Sequence, residues 1–133
     1  MTNDRARLVE LSVEECWELL ATAEVARVVW TTATGPEIVP VTPVLDGTTI
    51  RFRTTPYSAL VQRVDAERVA VEADVTDPAT RTGWSVVARG RAEVRYGADG
   101  GPEPEPWADG TRRTTVVVQV DQITGRRLVP VTD

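Results

Sequence analysis

The first periodic stretch of the chain has the spacing of an amphipathic helix. Ser12 is followed three residues later by Glu15, which is the arrangement of a capping box at a helix start. Apolar side chains then recur at the i, i+3, i+4, i+7 spacing of a single helix face: Val13, Cys16, Trp17 and Leu20. The pattern predicts one helix over about residues 12–23, with this face packed on the rest of the fold.

After the helix the period of the apolar positions changes to two, which is typical of half-buried strands. The strongest turn signal in this region is Asp46-Gly47, a pair that favours a tight hairpin. Pro40 and Pro43 indicate an edge strand or a bulge, and Gly90 indicates a bulge or a sharp bend. The predicted strands are ARVVWTTAT, EIVPVTPVL, TTIRFRTT, RVAVEADVTD, WSVVARGRAEVRY and TTVVVQVDQI.

Six short antiparallel strands, the N-terminal helix and a short helix from Tyr57 to Val64 predict an all-β barrel with minor helices. We expect a single domain over residues 1–133. Residues 97–112 are rich in Gly, Pro and Glu and show no period, so we interpret them as a surface loop or lid. Plain disorder is the alternative, except at Trp107, whose large apolar side chain favours a packing partner.

Composition limits the class of protein. Apolar residues make up 41% and charged residues 26% of the chain, the profile of a soluble globular protein. No apolar run is long enough to span a bilayer, and MTNDRARLVE lacks a signal-peptide core, so we expect a cytoplasmic protein without a membrane partner. The single cysteine, Cys16, fits a reducing compartment and a buried packing role. A net charge of -5 argues against a nucleic-acid partner but leaves small anionic ligands open.

The absent residue types exclude several chemistries. The chain has no His, and all fifteen of its basic residues are Arg. Without Lys there is no internal Schiff base, and without His there is no Ser-His-Asp triad, no His-ligated haem and no zinc site of the usual kinds. Arginine stays protonated, so it binds and polarises but is a poor general base. Any redox or transfer chemistry would therefore belong to a bound cofactor.

The stretch RFRTTPYSALVQRV combines features of an anion site. Arg51 and Arg53 alternate on a predicted strand and so share one face. Thr54 ends that strand, and Ser58 lies at the start of the short helix, where free backbone N–H groups favour an anion. From the local spacing, a phosphate site and a solvated strand face both remain open.

Two other segments are candidate ligand contacts. Trp84 begins a strand after a loop and is able to stack on a planar ring, although a core or interface tryptophan fits the pattern as well. The strand EIVPVTPV either presents backbone groups to a ligand or is an edge strand protected by its prolines. The arginine pairs at 112–113 and 126–127 are interpreted as solvated charge.

Five segments, in their order and spacing, resemble the FMN-binding split-barrel family typified by pyridoxamine 5'-phosphate oxidase, in its small actinobacterial branch. These segments are LSVEECWELLATAEVARVVW, IVPVTPVLDGTTIRFRTTPYSAL, TGWSVVARGRAE, PWADG and ITGRRL. The resemblance covers most of the chain. It implies a homodimer of six-stranded antiparallel split barrels, with FMN in two clefts at the interface.

The resemblance also implies which residues meet the cofactor. Arg53, Thr54 and Ser58 would bind the FMN phosphate, and the strand from Val39 to Val41 would run beside the isoalloxazine ring. Two further residues would approach the cofactor, in part from the partner subunit: Trp84 and Ser85.

The chain departs from the family pattern at the short helix. Family members typically read Gly-Ser-Lys-Leu there, whereas this chain reads Tyr57-Ser58-Ala59-Leu60, so an alanine replaces the phosphate-binding lysine. Arg63 lies one helical turn beyond Ala59 and is expected to restore the charge.

The function implied is that of a flavin-dependent oxidoreductase that exchanges electrons between the cofactor and a small-molecule substrate or electron donor. Pyridoxamine phosphate oxidase activity itself is not expected, because the chain is short and lacks that enzyme's C-terminal Arg and His pattern. Two alternatives stay open: a non-catalytic dimeric flavin-binding or degenerate module, which Ala59 favours, and a relative that uses a deazaflavin.

Overall fold

The computed structural model describes residues 5–54, 59–96 and 114–131, and these ranges contain one antiparallel sheet of eight strands and two helices. The mainly β barrel fold predicted from the sequence is confirmed. In chain order the elements are β1 (Ala6–Glu10), α1 (Val13–Ala21), β2 (Ala26–Thr32), β3 (Gly35–Val41), β4 (Val44–Asp46), β5 (Thr49–Thr54), α2 (Ala59–Val64), β6 (Arg68–Asp77), β7 (Thr82–Tyr96) and β8 (Thr114–Pro130).

The sheet curls into a split barrel because of how its edge strands are connected. Hydrogen-bonded neighbours follow the order β3-β2-β6-β7-β8-β5-β4, with β1 added beside β8. β3 and β4 stand at opposite ends of this path, yet only Thr42 and Pro43 separate them in the chain. Two residues span too short a distance, roughly 11 Å from Val41 to Val44, for the ends of a flat sheet. The two ends of the sheet therefore meet through the chain instead of through a ladder of hydrogen bonds.

The predicted N-terminal helix forms and its capping box is confirmed. The Glu15 backbone N–H donates to the Ser12 hydroxyl at 3.2 Å, and the Ser12 N–H donates to the Glu15 carboxylate at 3.0 Å. The helix ends at Ala21, two residues earlier than predicted, where the Thr22 hydroxyl donates to the Leu19 carbonyl at 2.6 Å. Cys16 and Leu20 are fully buried and Trp17 is half-buried, as the periodicity predicted. The prediction is wrong at Val13, which is 58% exposed in the first turn.

The long strands β7 and β8 bend at the bulge that Gly90 predicted. Gly90 pairs with Val120 and Arg89 with Gln122, so Asp121 is the extra residue on β8. A side chain at position 90 has no room, because a Cβ there would lie 1.9 Å from the Gln119 carbonyl oxygen. Asp121 accepts two hydrogen bonds from the Arg68 guanidinium, at 2.6 and 2.8 Å, which ties the bulge to β6.

The sequence pattern predicted six strands where the described residues contain eight. β1 has no alternation of apolar and polar residues, and it forms because its backbone pairs with the end of β8. The segment EIVPVTPVL divides at Thr42-Pro43, where the chain passes from one sheet edge to the other. β8 continues beyond the predicted strand TTVVVQVDQI and ends at Pro130. The predicted loop at 97–112, with Trp107, lies outside the described residues, as do Tyr57 and Ser58.

The core inside the barrel is formed by inward-facing side chains from several strands of the sheet. Phe52, Ile50, Val116 and Val118 are fully buried on β5 and β8, and Val28, Val71 and Val86 are fully buried on β2, β6 and β7. Over the described residues, no helix is long and apolar enough to cross a membrane.

Candidate functional site

Strand register brings the arginines of β5 and β7 onto one outward face of the sheet. Residues that are directly opposite each other in neighbouring antiparallel strands point to the same side. Three rows across β5, β8 and β7 therefore share a face, which we call the arginine face: Arg53, Thr115 and Arg95; Arg51, Val117 and Glu93; and Thr49, Gln119 and Arg91.

The arginine face is basic in a chain that is acidic overall. Its nine residues include four arginines and one carboxylate, that of Glu93, whereas the whole chain has a net charge of -5. The Arg95 guanidinium pairs with Glu93 at 3.3 Å, and these side chains are 39% and 62% exposed. A clustered excess of guanidinium groups favours a bound anion.

The centre of the arginine face is buried although it points away from the barrel core. Arg51 is 4% exposed, Val117 is 5% exposed and Thr115 is 7% exposed. Arg53 is half-buried beside them. Charge–anion interactions are stronger at such a partly desolvated position than on an open surface, because less water screens them.

A shallow pocket of about 260 Å³ adjoins the arginine face. Arg91, Arg95 and Gln119 contribute to its wall, together with Asp65 and Ala66 from the connection between α2 and β6. That connection is fixed to β7: the Arg91 guanidinium donates to the Ala66 carbonyl at 2.7 Å, and the Val94 N–H donates to the Asp65 carboxylate at 3.0 Å. The position of α2 is thus coupled to the strand that carries Arg95.

The predicted phosphate residues are only partly brought together. The side chain of Arg53 belongs to the arginine face, whereas Thr54, its neighbour in the strand, turns toward the core side and is 8% exposed. Ser58 lies outside the described residues. The contact of Arg53 and Ser58 with a phosphate stays a prediction, and Thr54 would reach the same ligand through its backbone rather than through its hydroxyl.

Arg63 and Val39 meet at a different pocket from the arginine face. They line a cavity of about 330 Å³ together with Trp30, Thr32 and Glu37 of the β2–β3 hairpin. Val39 and Val41 are half-buried and pack against the core, so their side chains point into the barrel. A ring lying along β3 would therefore contact its backbone and outward side chains more than these two valines.

Trp84 and Ser85 point to opposite sides of β7. Trp84 is half-buried and packs against the core cluster, which agrees with the core interpretation of this residue. Ser85 lines an outward groove of about 430 Å³, whose wall also includes Arg89 and Arg126. Of the two, Ser85 is thus the one that lines the described groove.

Sequence reasoning did not place Arg91 and Arg95 on the same face as Arg51 and Arg53. The alternation in RGRAEVRY places both on one face of a strand, but the chain alone does not tell which strand lies between β7 and β5. Only the pairing of β5 and β7 with β8 shows that Arg91 and Arg95 lie on the same face as Arg51 and Arg53.

The described residues provide binding groups rather than reactive ones. Burial raises the pKa of the Cys16 thiol, which is fully enclosed, so this cysteine stays protonated and inert. Among the described residues, no group of His, Cys, Asp and Glu side chains is placed to hold a metal ion. The arginine face can bind and orient an anion, and the chemistry of proton or electron transfer needs a further group.

Comparison with known proteins identifies relatives over nearly the whole chain. Residues 12–127 match the family model described as pyridoxamine 5'-phosphate oxidase. An uncharacterized protein of Mycobacterium tuberculosis is 39% identical over 138 residues, which cover 92% of this chain and 86% of that protein.

Solved structures show the same fold. An FAD-binding protein from Mycobacterium smegmatis is 33% identical, with a TM-score of 0.73 over 91% of this chain and 98% of that one. An FAD-binding protein from Mesorhizobium loti, 19% identical, has a TM-score of 0.74 over 94% of this chain and 99% of that one. The second likeness concerns the fold alone.

Proposed function

Since the chain belongs to the pyridoxamine 5'-phosphate oxidase family, we propose that it is an FMN-binding flavoprotein and a flavin-dependent oxidoreductase that acts on a small molecule. The observation that carries the proposal is the row of Arg53, Thr115 and Arg95 on the arginine face. A phosphate is the anion that this row fits, because two guanidinium forks and a hydroxyl offer several donors to its oxygens.

The donor set of the arginine face fits the phosphate end of a flavin. Arg53 is half-buried and next to the buried Arg51, so an anion bound there would be partly shielded from water. Ser85 lies ten residues before Arg95, about 33 Å along β7, so in this proposal its hydroxyl would reach the polar edge of a flavin bound by the partner subunit. In this proposal the chain binds and orients the cofactor through donors that are always protonated.

When bound, a flavin supplies the hydride or electron transfer that the side chains of this protein cannot perform. The residues of the chain hold the phosphate, shape the cleft and exclude water from the ring. No lysine or histidine is needed for these tasks, in agreement with the absence of both residue types. Pyridoxamine phosphate itself is not the substrate we propose.

A non-catalytic flavin-binding module is the second candidate, and Ala59 is the observation that favours it. An alanine has no charge to offer where the family resemblance implies a phosphate-binding lysine. A deazaflavin-dependent relative would use the same phosphate donors. FAD is tested alongside FMN because a 33% identical relative is an FAD-binding protein.

The proposal includes a homodimer with two symmetric flavin clefts at its interface, in the cytoplasm and without a nucleic-acid partner. Leu8, Ile38 and Val75 lie on three different strands and are 55%, 59% and 54% exposed. A homodimer interface that included any of them would remove apolar surface from water.

Anaerobic mixing with NADH or NADPH tests the oxidoreductase proposal. The protein loaded with FMN is followed by its flavin absorbance, first with the donor and then with oxygen or a quinone as acceptor. Bleaching followed by recovery is expected of an oxidoreductase. A protein that holds flavin but shows no faster reduction than free FMN would support the non-catalytic module instead.

A further inference from the structure

We propose that the outward groove that contains Ser85 binds a small molecule with a single carboxylate, held chiefly by Arg126. This Ser85 groove has a volume of about 430 Å³ and lies against β7 and β8. The inference rests on the proposed function in one respect: Ser85 would lie beside the flavin of the partner subunit, so a ligand of the groove would be the substrate of the oxidoreductase. A substrate class is thereby named.

Strand pairing brings Arg126 and Ser85 together. The two residues are directly paired between β8 and β7, and both line the groove. Residues paired in this way lie about 5 Å apart and point to the same side of the sheet. The Arg126 guanidinium and the Ser85 hydroxyl can therefore donate to one ligand group. A carboxylate matches this pair, because its two coplanar oxygens fit the fork of a guanidinium.

The charge of Arg126 is not taken up by its neighbour on the other side. That neighbour is Glu10 of β1, which is paired with Arg126 and also lines the groove. Over residues 5–54, 59–96 and 114–131, however, no salt bridge joins Glu10 to Arg126. A carboxylate that enters the groove therefore does not have to break an ion pair of Arg126.

The rest of the wall suits the apolar body of a small organic acid. Val87, two residues beyond Ser85 on the same face of β7, lines the groove and is half-buried. Arg89 follows at the next outward position, and its guanidinium donates to the Thr124 hydroxyl at a long 3.4 Å. The groove thus combines an apolar floor with donors at both ends, as small-molecule sites commonly do.

The charges of the groove favour a ligand with one negative charge. Arg89 and Arg126 against Glu10 give it a net charge of +1, whereas the whole chain has a net charge of -5. A single carboxylate balances this charge. The Glu10 carboxylate would repel the second charge of a phosphate dianion or a dicarboxylate, so the groove discriminates against both.

Benzoate is the probe, titrated into the isotope-labelled full-length protein and followed by backbone amide NMR signals. The signals of Val87 and Gly125 report on the groove. We expect them to shift saturably, with a higher affinity for benzoate than for neutral benzyl alcohol or inorganic phosphate. Arg126→Gln should weaken benzoate binding about fivefold or more, and Arg126→Lys should recover part of the loss. Glu10→Gln should strengthen binding about threefold, because it removes a repelling charge.

The charge-matched controls are Arg7→Gln on β1 and Glu14→Gln on α1, both exposed and outside the described wall of the groove. Their benzoate affinities should stay within about twofold of wild type. Equal affinity for benzoate and benzyl alcohol would overturn the inference, and so would an unchanged affinity in Arg126→Gln. Shifts confined to the pocket of about 260 Å³ beside the arginine face would place the ligand elsewhere and overturn it as well.

The flavin spectrum separates this inference from the proposed function. In the protein loaded with FMN, bound benzoate would bring a negative charge close to the ring, so we expect the flavin absorbance to shift with the benzoate affinity seen by NMR. Binding without that shift would overturn the substrate role of the groove. A protein that retains flavin but binds no benzoate would overturn this inference and leave the proposed function standing. Benzoate binding by a protein that retains no flavin would contradict the proposed function and support the carboxylate site alone.

Discussion

Arginine supplies every basic side chain of this protein. A guanidinium cannot give up its proton in the physiological range, so each one is a permanent donor and never a base. The chain concentrates four of its fifteen arginines on the arginine face, around side chains that are nearly buried. At this scale the structure offers several guanidinium donors on one face, as the proposed phosphate site requires.

Arg53 is the residue whose loss should affect flavin binding most. Replacing it with Ala removes a charge-assisted donor from the centre of the proposed phosphate site, so we expect FMN affinity to fall by an order of magnitude or more. The measurement is a fluorescence titration with FMN, paired with sedimentation to verify that the assembly is unchanged. An affinity equal to that of wild type would mean that the phosphate lies elsewhere.

Strands β7 and β8 are the elements on which the site depends, because both cross the bulge and both extend to the arginine face. The bulge is fixed by a glycine with no space for a side chain and by the ion pair between Arg68 and Asp121. A change at the bulge would alter the register of the rows that align Arg53 with Arg95. The stability of the bulge therefore affects the arginine face as well as the fold.

Gly90→Ala should destabilise the protein strongly. The added methyl group would lie 1.9 Å from a backbone oxygen, so the two strands must separate, at a cost of about 2 kcal/mol or more in the free energy of unfolding. Urea unfolding measures this cost. The matched control is Gly47→Ala, which has a φ of +60° but no atom within 4 Å, and which should cost only about 1 kcal/mol through backbone strain.

Similar costs for the two glycine variants would contradict the steric account of the bulge. They would show that the loss of glycine as such, and not the approach of the Gln119 backbone, determines the change in stability.

Two carboxylates on the sheet, those of Asp121 and Glu72, should make the free energy of unfolding depend on pH in opposite directions. The hydrogen bond from Arg68 lowers the pKa of Asp121, so its contribution to stability is present above the unfolded-state pKa and is lost as the pH falls through the folded-state value. Burial, aided by Asp74, raises the pKa of Glu72, so its contribution is present at acid pH and is lost as the pH rises through the folded-state value.

Unfolding by urea over a pH series tests both directions. Asp121→Asn should be less stable than wild type at neutral pH and approach it in acid. Glu72→Gln, which mimics the protonated side chain, should be at least as stable as wild type at neutral pH, with the difference vanishing in acid. Parallel pH profiles for the two variants would refute the assigned causes.

For the molecule as a whole, the sequence was sufficient for the fold class, the first helix and the Gly90 bulge, because those features follow from local periodicity and from single residues. Two aspects needed the structure. β1 forms through pairing with a distant strand, and the arginine face forms because β8 lies between two strands that are far apart in the chain. Long-range register of this kind leaves no local signal, so the sequence alone did not place Arg95 in the same row as Arg53.

The homodimer is a further prediction about the molecule as a whole. We expect sedimentation at micromolar concentration to give about twice the 14.5 kDa mass of the chain. A monomer would remove the interface cleft from the proposed function, although the arginine face would remain.

The most direct test of the central claim is the absorbance spectrum of the purified protein after incubation with FMN and removal of the excess by gel filtration, with FAD in a parallel sample. The account predicts retained flavin bands at close to one flavin per subunit. A colourless protein in both samples would contradict it, because the arginine face would then not hold a flavin phosphate.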